Sequence, residues 1–321
     1  MNVLITGGAG FIGSNLIRFY LDRGDKVWAI DNFFSGTKEN IAPFLSHPNF
    51  QFEKVDLCKY GELQKVVAWS DRIYHMAAIV GQKLVLTHPV DVISVNIRTT
   101  ELILEAVSLT KKDIRVLIAS SSCLYDRLPS HLPKEETADL LIASGKFTQA
   151  TYPLSKVVNE VMALSYGASK QVHSVTARLF NVIGPNQTGR YGMVVPTFIK
   201  QALLNEPITV YGDGSQTRSF CYVKDIVQML HLLMETQECK GQLINIGNKE
   251  EISILALAEL IKKKTNSSSQ IVHIPYEEAY EMEFEDVQRR CPILDKLQSL
   301  IGVFPQTTLE KALEEMIGLL N

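Results

Sequence analysis

Tyr152, Lys156 and Ser121 are the residues of this sequence whose types and spacing could do chemistry. Tyr152 and Lys156 stand four apart in Tyr152-Pro153-Leu154-Ser155-Lys156. On a helix that spacing puts both side chains on one face, a turn apart. An ammonium beside a phenol favours the phenolate and lowers its pKa from about 10. A nicotinamide's positive charge would add to the effect. The pair would then act as a general base near neutrality. Ser121, in the cluster Ser120 to Ser122, offers a hydroxyl to hydrogen-bond the reacting oxygen. The plainer role for such serines is a polar strand end or helix cap. A Tyr-x-x-x-Lys pair arises often by chance. It gains weight here because a nucleotide-type turn and a serine cluster precede it.

That turn is Thr6-Gly7-Gly8-Ala9-Gly10-Phe11-Ile12-Gly13. Before it, Val3-Leu4-Ile5 reads as a buried strand. After it, Phe11, Ile12, Leu16, Ile17, Phe19, Tyr20 and Leu21 repeat as a helix that Gly24 ends. A glycine turn between strand and helix lets backbone N–H groups approach a pyrophosphate, and the helix N-terminus adds partial positive charge. Gly7, Gly10 and Gly13 would serve the tight turn, the close approach and the helix–strand packing. A second run, Val27 to Ile30, ends in Asp31, eighteen residues past Gly13. An acid there accepts hydrogen bonds from an adenosine ribose and selects NAD over its 2′-phosphorylated form. The expected cofactor set is Gly7, Gly10, Phe11, Ile12, Gly13, Asp31, Asn32, Asp56, Leu57, Ala77, Ala78, Asn96 and Lys156.

The elements that must position these groups alternate along the chain. Phe50 to Val55 reads as a third strand, with Asp56-Leu57 at its end to reach the adenine. Arg72 to His75 is a fourth, and small Ala77 and Ala78 leave room for a cofactor. His75 is expected to be a packed strand-end histidine. Val90 to Val107 is a helix apolar on two faces, which needs two partners. One is the sheet and the other a second subunit. Asn96 within it is either a buried polar group or a contact to the strand that carries the site. Arg115 to Ala119 is the fifth strand and runs into Ser120 to Tyr125. A mostly polar loop from Asp126 to Ala150, with Pro129 and Pro133, is expected to flap beside the site. Tyr152 to Gly167 is the next helix, and pairing it with Val90 to Val107 would build a two-fold dimer interface. Val172 to Leu179 is the sixth strand. The chain is expected back in the sheet at Leu243 to Ile246. This alternation implies an α/β fold, a doubly wound parallel sheet of Rossmann type with a smaller α/β C-terminal substrate lobe.

The 321 residues give ample chain for a core. Charged residues are 21% and apolar residues 46%, an ordinary globular mix. A net charge of −3 makes no case for nucleic acid or an anionic membrane surface. No apolar run approaches the roughly 18 residues of a membrane span. The first strand begins at once, so no secretion leader is expected. The five cysteines, Cys58, Cys123, Cys221, Cys239 and Cys291, form no Cys-x-x-Cys pair, so neither a disulfide framework nor a metal site is expected. A reducing cytoplasm is.

These residues carry a family resemblance. The chain resembles an extended short-chain dehydrogenase/reductase of the NAD-dependent nucleotide-sugar epimerase/dehydratase family, nearly end to end. The likeness runs through Thr6 to Gly13, Asp31, Asp56-Leu57, His75 to Ala78, Ser121 to Tyr125, Tyr152 to Lys156, Arg178 to Pro185 and Thr217 to Asp225. It implies an NAD-binding domain over 1–183, whose sheet also receives about 218–250, and a nucleotide-sugar lobe from 184–217 and 251–321. It implies a UDP-sugar or other nucleotide-diphosphate sugar as substrate, held by Ser121, Ser122, Cys123, Asn181, Val195, Tyr211, Arg218 and Arg290. Asn181 and Arg218 would hold the diphosphate, and Pro207 to Gly212 would lie near the base. Gln288 to Pro292 resembles a second arginine motif, with Arg289 or Arg290 pointing inward.

By the same resemblance, Tyr152 takes the proton of the sugar's C4 hydroxyl as hydride leaves C4, while Lys156 tunes Tyr152 and binds the nicotinamide ribose. The 4-keto sugar then has three fates: epimerisation, decarboxylation or 4,6-dehydration. Dehydratases of this type carry Asp-Glu directly after the serine or threonine, and decarboxylases usually keep the glutamate. Here Ser122 and Cys123 stand instead. The expectation is therefore a 4-epimerase for a UDP-hexose or UDP-N-acetylhexosamine. The alternative is a 4,6-dehydratase or UDP-glucuronate decarboxylase, which the region from Arg190 to Tyr222 favours. Asp126 stands where the family normally has glycine.

Overall fold

The computed structural model describes residues 1–321 apart from 130, 133, 142–146, 190, 191, 277, 279–286 and 321, with backbone alone for 147–149. Pro133 and residues 142–146 of the expected flap thus lie outside the described residues.

Alternating strands and helices build one seven-stranded parallel sheet. Its strands are β1 (Asn2–Thr6), β2 (Lys26–Asp31), β3 (Phe50–Lys54), β4 (Arg72–His75), β5 (Arg115–Ser121), β6 (His173–Leu179) and an edge strand, Leu243–Ile246. From that edge the order runs Leu243–Ile246, β6, β5, β4, β1, β2, β3. The direction of winding reverses between β1 and β4, and ligands bind beyond strand C-termini at such a point. Both sheet faces are covered, so β1 is apolar on both. Val3 and Ile5 join the core under the Phe11–Asp22 and Val223–Glu235 helices, while Leu4 joins the opposite core with Val66, Ile103 and Leu104. His75 is buried at the end of β4 between the hydroxyls of Thr6 (2.8 Å) and Thr100 (3.1 Å). Burial pulls its pKa down to about 3, which keeps it neutral. The packed-histidine expectation matches that placement.

The expected helices run longer than their apolar periods. The one read as Val90 to Val107 spans Pro89–Ser108, and the one read from Tyr152 spans Phe147–Lys170, with Pro153 inside it. Proline is a common first helical residue, which made Pro153 look like a start. The chain returns to the sheet where expected, Leu243 pairing with Thr176 and Ile246 with Leu179.

Between the helices of the C-terminal half, short strand pairings place side chains. Ile208–Tyr211 lies beside Ile271–Ile274, and Val182–Ile183 beside Cys221–Tyr222. Thr217–Ser219 is flanked by Glu251–Ser253 and Arg289–Arg290. The last pairing sets Arg290 directly opposite Arg218. No helix among the described residues is long and apolar enough to cross a membrane.

Candidate active site

Two cavities open at the C-terminal end of the sheet. The first, of about 500 Å³, follows the glycine turn. Gly7, Gly10, Phe11, Ile12, Gly13, Asp31, Asn32, Asp56, Leu57, Ala77, Ala78 and Lys156 all line it. Gly7 has φ +71°, and a Cβ there would stand 2.7 Å from the Ala77 nitrogen. A Cβ on Gly13 would stand 2.1 Å from the Gly7 carbonyl oxygen. Glycine at both positions lets turn, helix and strand close on one another. Asp31 accepts hydrogen bonds from the N–H groups of Ala9 (3.0 Å) and Phe33 (2.7 Å). These bonds hold its carboxylate in the cavity lining at the end of β2, where it would repel a 2′-phosphate. Space, glycine cradle and acid fit NAD.

Asn96 corrects the expectation for it. It lies behind the cavity wall, buried, rather than in the lining. Its Oδ1 accepts from the Ile79 N–H at 2.7 Å, and its Nδ2 donates to the Ile79 oxygen at 3.1 Å and to Ser155 Oγ at 3.3 Å. It clamps the segment after β4 to the Phe147–Lys170 helix, which satisfies a buried amide and positions the wall.

The second cavity, of about 770 Å³, shares Ser121 and Tyr152 with the first. Anything bound there meets the cofactor site across this serine and this tyrosine. Burial pushes the Tyr152 phenol above its ordinary value, with Cys123 adding to the rise. The groups that pull it back are Ser121, through a side-chain hydrogen bond, and the Arg290 charge. Lys156 was expected in that role. Its ammonium instead donates to the Ala119 oxygen at 2.8 Å and stands 5.7 Å from the centre of the Tyr152 ring. Burial lowers Lys156 itself to about 8, since a charge loses hydration there.

The substrate-side expectations divide. Cys123, Asn181, Val195, Tyr211, Arg218 and Arg290 line the larger cavity with Ser121 and Tyr152. Ser122 does not: it is buried and lines neither cavity. The strand ends at Ser121, and Ser122 opens the short turn Ser122–Tyr125, which carries its side chain into the interior. The Cys123 thiol is raised to about 12, by burial first and by Asp126 next. Of the two adjacent arginines, Arg290 lines the cavity, and Arg289 turns out to Glu251 at 2.7 Å. Arg218 Nη1 donates to the carbonyl oxygens of Thr217 (2.8 Å) and Val287 (2.6 Å). Asn181 holds the Ser219 oxygen at 2.9 Å, which ties the Arg218 strand to β6.

Sequence reasoning missed the group beneath the site. Glu160 lies four residues past Lys156 and eight past Tyr152, on the same helix face. It accepts hydrogen bonds from Ser120 Oγ (2.6 Å) and from Arg178 (2.8 and 2.7 Å). Arg178 also donates to the Tyr125 hydroxyl at 2.6 Å, and that hydroxyl donates to Asn245 at 2.9 Å. The i, i+4, i+8 spacing was the available signal. The network ties the helix carrying Tyr152 and Lys156 to the end of β5.

Comparison with known proteins places this geometry. Residues 3–247 match the NAD dependent epimerase/dehydratase family. The chain belongs to that family. It is 35% identical over 315 residues to a UDP-N-acetyl-alpha-D-glucosaminuronate decarboxylase of Bacillus cytotoxicus, covering 98% of this chain and 96% of that one. It is 33% identical to UDP-glucuronic acid decarboxylase 2 of Arabidopsis thaliana, over 99% of this chain and 67% of the relative. A solved UDP-glucuronic acid 4-epimerase of Bacillus cereus, in complex with UDP-glucuronic acid and NAD, superposes with a TM-score of 0.87 at 29% identity, over 100% of both chains. This family member is therefore an NAD-dependent enzyme of nucleotide-sugar chemistry.

Proposed function

We propose that this enzyme is a UDP-hexuronate decarboxylase, acting on UDP-glucuronate or its 2-acetamido counterpart. The observation that carries this is the charge of the larger cavity. Its charged lining, among the described residues, is Arg127, Arg218 and Arg290 against Asp126 alone. Such a wall suits a diphosphate and a further carboxylate, because guanidinium forks bind both. The 35% identity to a uronate decarboxylase over almost the whole of both chains supports it.

NAD, when bound, accepts and later returns the hydride of C4. Tyr152 removes the C4 hydroxyl proton, Ser121 hydrogen-bonds that oxygen, and Lys156 supplies positive charge behind them. Once C4 is a carbonyl, the C6 carboxylate lies β to it. The C5–C6 bond then breaks, carbon dioxide leaves, and the electron pair passes into the enolate of C4. Ser121 and the protonated Tyr152 donate to the enolate oxygen. Cys123 lines the same cavity and burial keeps its thiol protonated, so it is the side chain to which we assign protonation of C5, water then replacing its proton. 4,6-Dehydration is disfavoured: it requires a base at C5, and neither Ser122, which lines neither cavity, nor Cys123, which burial keeps protonated, supplies one.

A second reading, uronate 4-epimerase, is favoured by the missing glutamate after Ser122 and by the likeness to the Bacillus cereus enzyme. Incubation with UDP-glucuronate and UDP-N-acetylglucosaminuronate separates them. Carbon dioxide and a UDP-pentose are expected. Unchanged mass with C4 inverted would select the epimerase, and turnover of UDP-glucose alone would defeat both uronate readings.

The working unit in this proposal is a cytoplasmic homodimer. The five cysteines are free thiols, which suits a reducing compartment. The Phe147–Lys170 helix exposes Val158, Val161 and Leu164, one apolar stripe at helical spacing. The Pro89–Ser108 helix contributes less than expected, because its apolar side chains other than Val90 are largely covered. Val161→Glu should convert the dimer to monomer by light scattering. An undisturbed dimer would place the interface elsewhere.

A further inference from the structure

The larger cavity holds an acid among its arginines. Asp126 follows the short turn Ser122–Tyr125, and its Oδ2 accepts a hydrogen bond from Arg290 Nη2 at 2.7 Å. The partners are 164 residues apart in sequence, and both line the cavity. Their side chains remain 25% and 21% exposed, so solvent and solutes reach the pair.

The contact is not what holds the loop. Further along, the Ile293 N–H donates to the Lys134 oxygen at 3.1 Å, and Asn245 Nδ2 donates to the same oxygen at 2.8 Å. Glu136 in turn accepts from the Asn245 N–H at 2.7 Å. The loop stays clasped to the 289–293 segment if Asp126 lets go. Meanwhile Arg290 sits opposite Arg218 across paired strands, and Asp126 offsets part of their combined charge.

A carboxylate in an anion-binding cavity has two effects. It holds the guanidinium ready in place, and it opposes any anion that arrives. We propose that Asp126 is a resident stand-in for the substrate's anion: it pairs with Arg290 in the empty cavity and is displaced from it by a phosphate or carboxylate group of the nucleotide sugar. Asp126 thereby sets how tightly the cavity takes anionic ligands. The exchange is one ion pair for another and breaks no covalent bond. The diphosphate of a nucleotide sugar brings two negative charges and four non-bridging oxygens against the single charge of one carboxylate, so it competes well for a planar fork. This inference rests on the nucleotide-sugar reading of the cavity but not on which reaction follows.

Calorimetric titration of the NAD-loaded protein with UDP, and with uncharged uridine, tests it. Asp126→Asn should tighten UDP about fivefold, the scale of a part-exposed ion pair, and leave uridine unchanged. In an Arg290→Ala background the gain should shrink towards nothing. Asp126→Ser, with unfolding midpoints measured alongside, guards against a local effect of asparagine. UDP binding that is unchanged or weaker in Asp126→Asn overturns the inference. So does an equal gain with and without Arg290, which would make Asp126 a distant field only. A wild-type protein that binds no UDP would bring down the nucleotide-sugar reading as well, so the two failures are distinguishable.

Discussion

Tyr152→Phe should lower kcat by about 10²–10⁴-fold, the usual worth of a positioned acid–base group, while UDP still binds. Removing one oxygen takes away the group that accepts the C4 proton and leaves ring packing intact. The expectation follows from position: of the residues that line both cavities, Tyr152 and Ser121 are the two with hydroxyls, so they are the groups placed to act between a sugar in one and a nicotinamide in the other. Burial raises the Tyr152 phenol, so the free protein holds it protonated at neutral pH. Deprotonation then depends on positive charge brought close. Raising the pH should increase the wild-type rate only until Lys156, lowered to about 8, loses its charge, and the residual Tyr152→Phe rate should lack that rise. Steady-state rates across pH with a saturating uronate provide the measurement. A Tyr152→Phe enzyme that keeps wild-type turnover would remove Tyr152 from the chemistry.

The second large effect concerns stability. Glu160→Leu or Arg178→Leu should each destabilise the protein by about 3–5 kcal/mol, because either leaves an uncompensated charge in the interior. Both side chains are almost fully buried, at 4% and 3% exposure. Arg178 binds Glu160 through two nitrogens and Tyr125 through a third. The double replacement should cost much less than the sum of the singles, since it removes both charges together. Denaturant midpoints of the four proteins measure this. Single variants within about 1 kcal/mol of wild type would show the pair to be poorly coupled to folding. Activity should fall with stability in the single variants, because Ser120 on β5 and the helix carrying Tyr152 and Lys156 share Glu160.

Much of this enzyme was legible before any coordinates. A glycine turn, an acid at the end of β2 and a tyrosine four residues before a lysine are local signals. Each depends on one strand end or one helix face, and backbone geometry fixes which side chains lie together there. The same holds for the alternation of apolar runs, which implied the doubly wound sheet and the return at Leu243–Ile246. Helix ends were less legible, because Pro153 has the look of a first helical residue yet lies well inside.

What the order of residues determined by itself is therefore the fold class, the glycine turn with its acid, and Tyr152, Lys156 and Ser121 as candidates for the chemistry. Tertiary structure decided the rest: that Arg290 and not Arg289 faces the cavity, that Ser122 turns away, that Asn96 clamps a wall, and that Asp126 meets Arg290. The reason is physical. Side chains alternate across a strand, so inward or outward is settled only by which distant strand pairs with it and in what register. Proton affinities follow the same rule, because burial outweighs near neighbours and is set by the whole packed molecule.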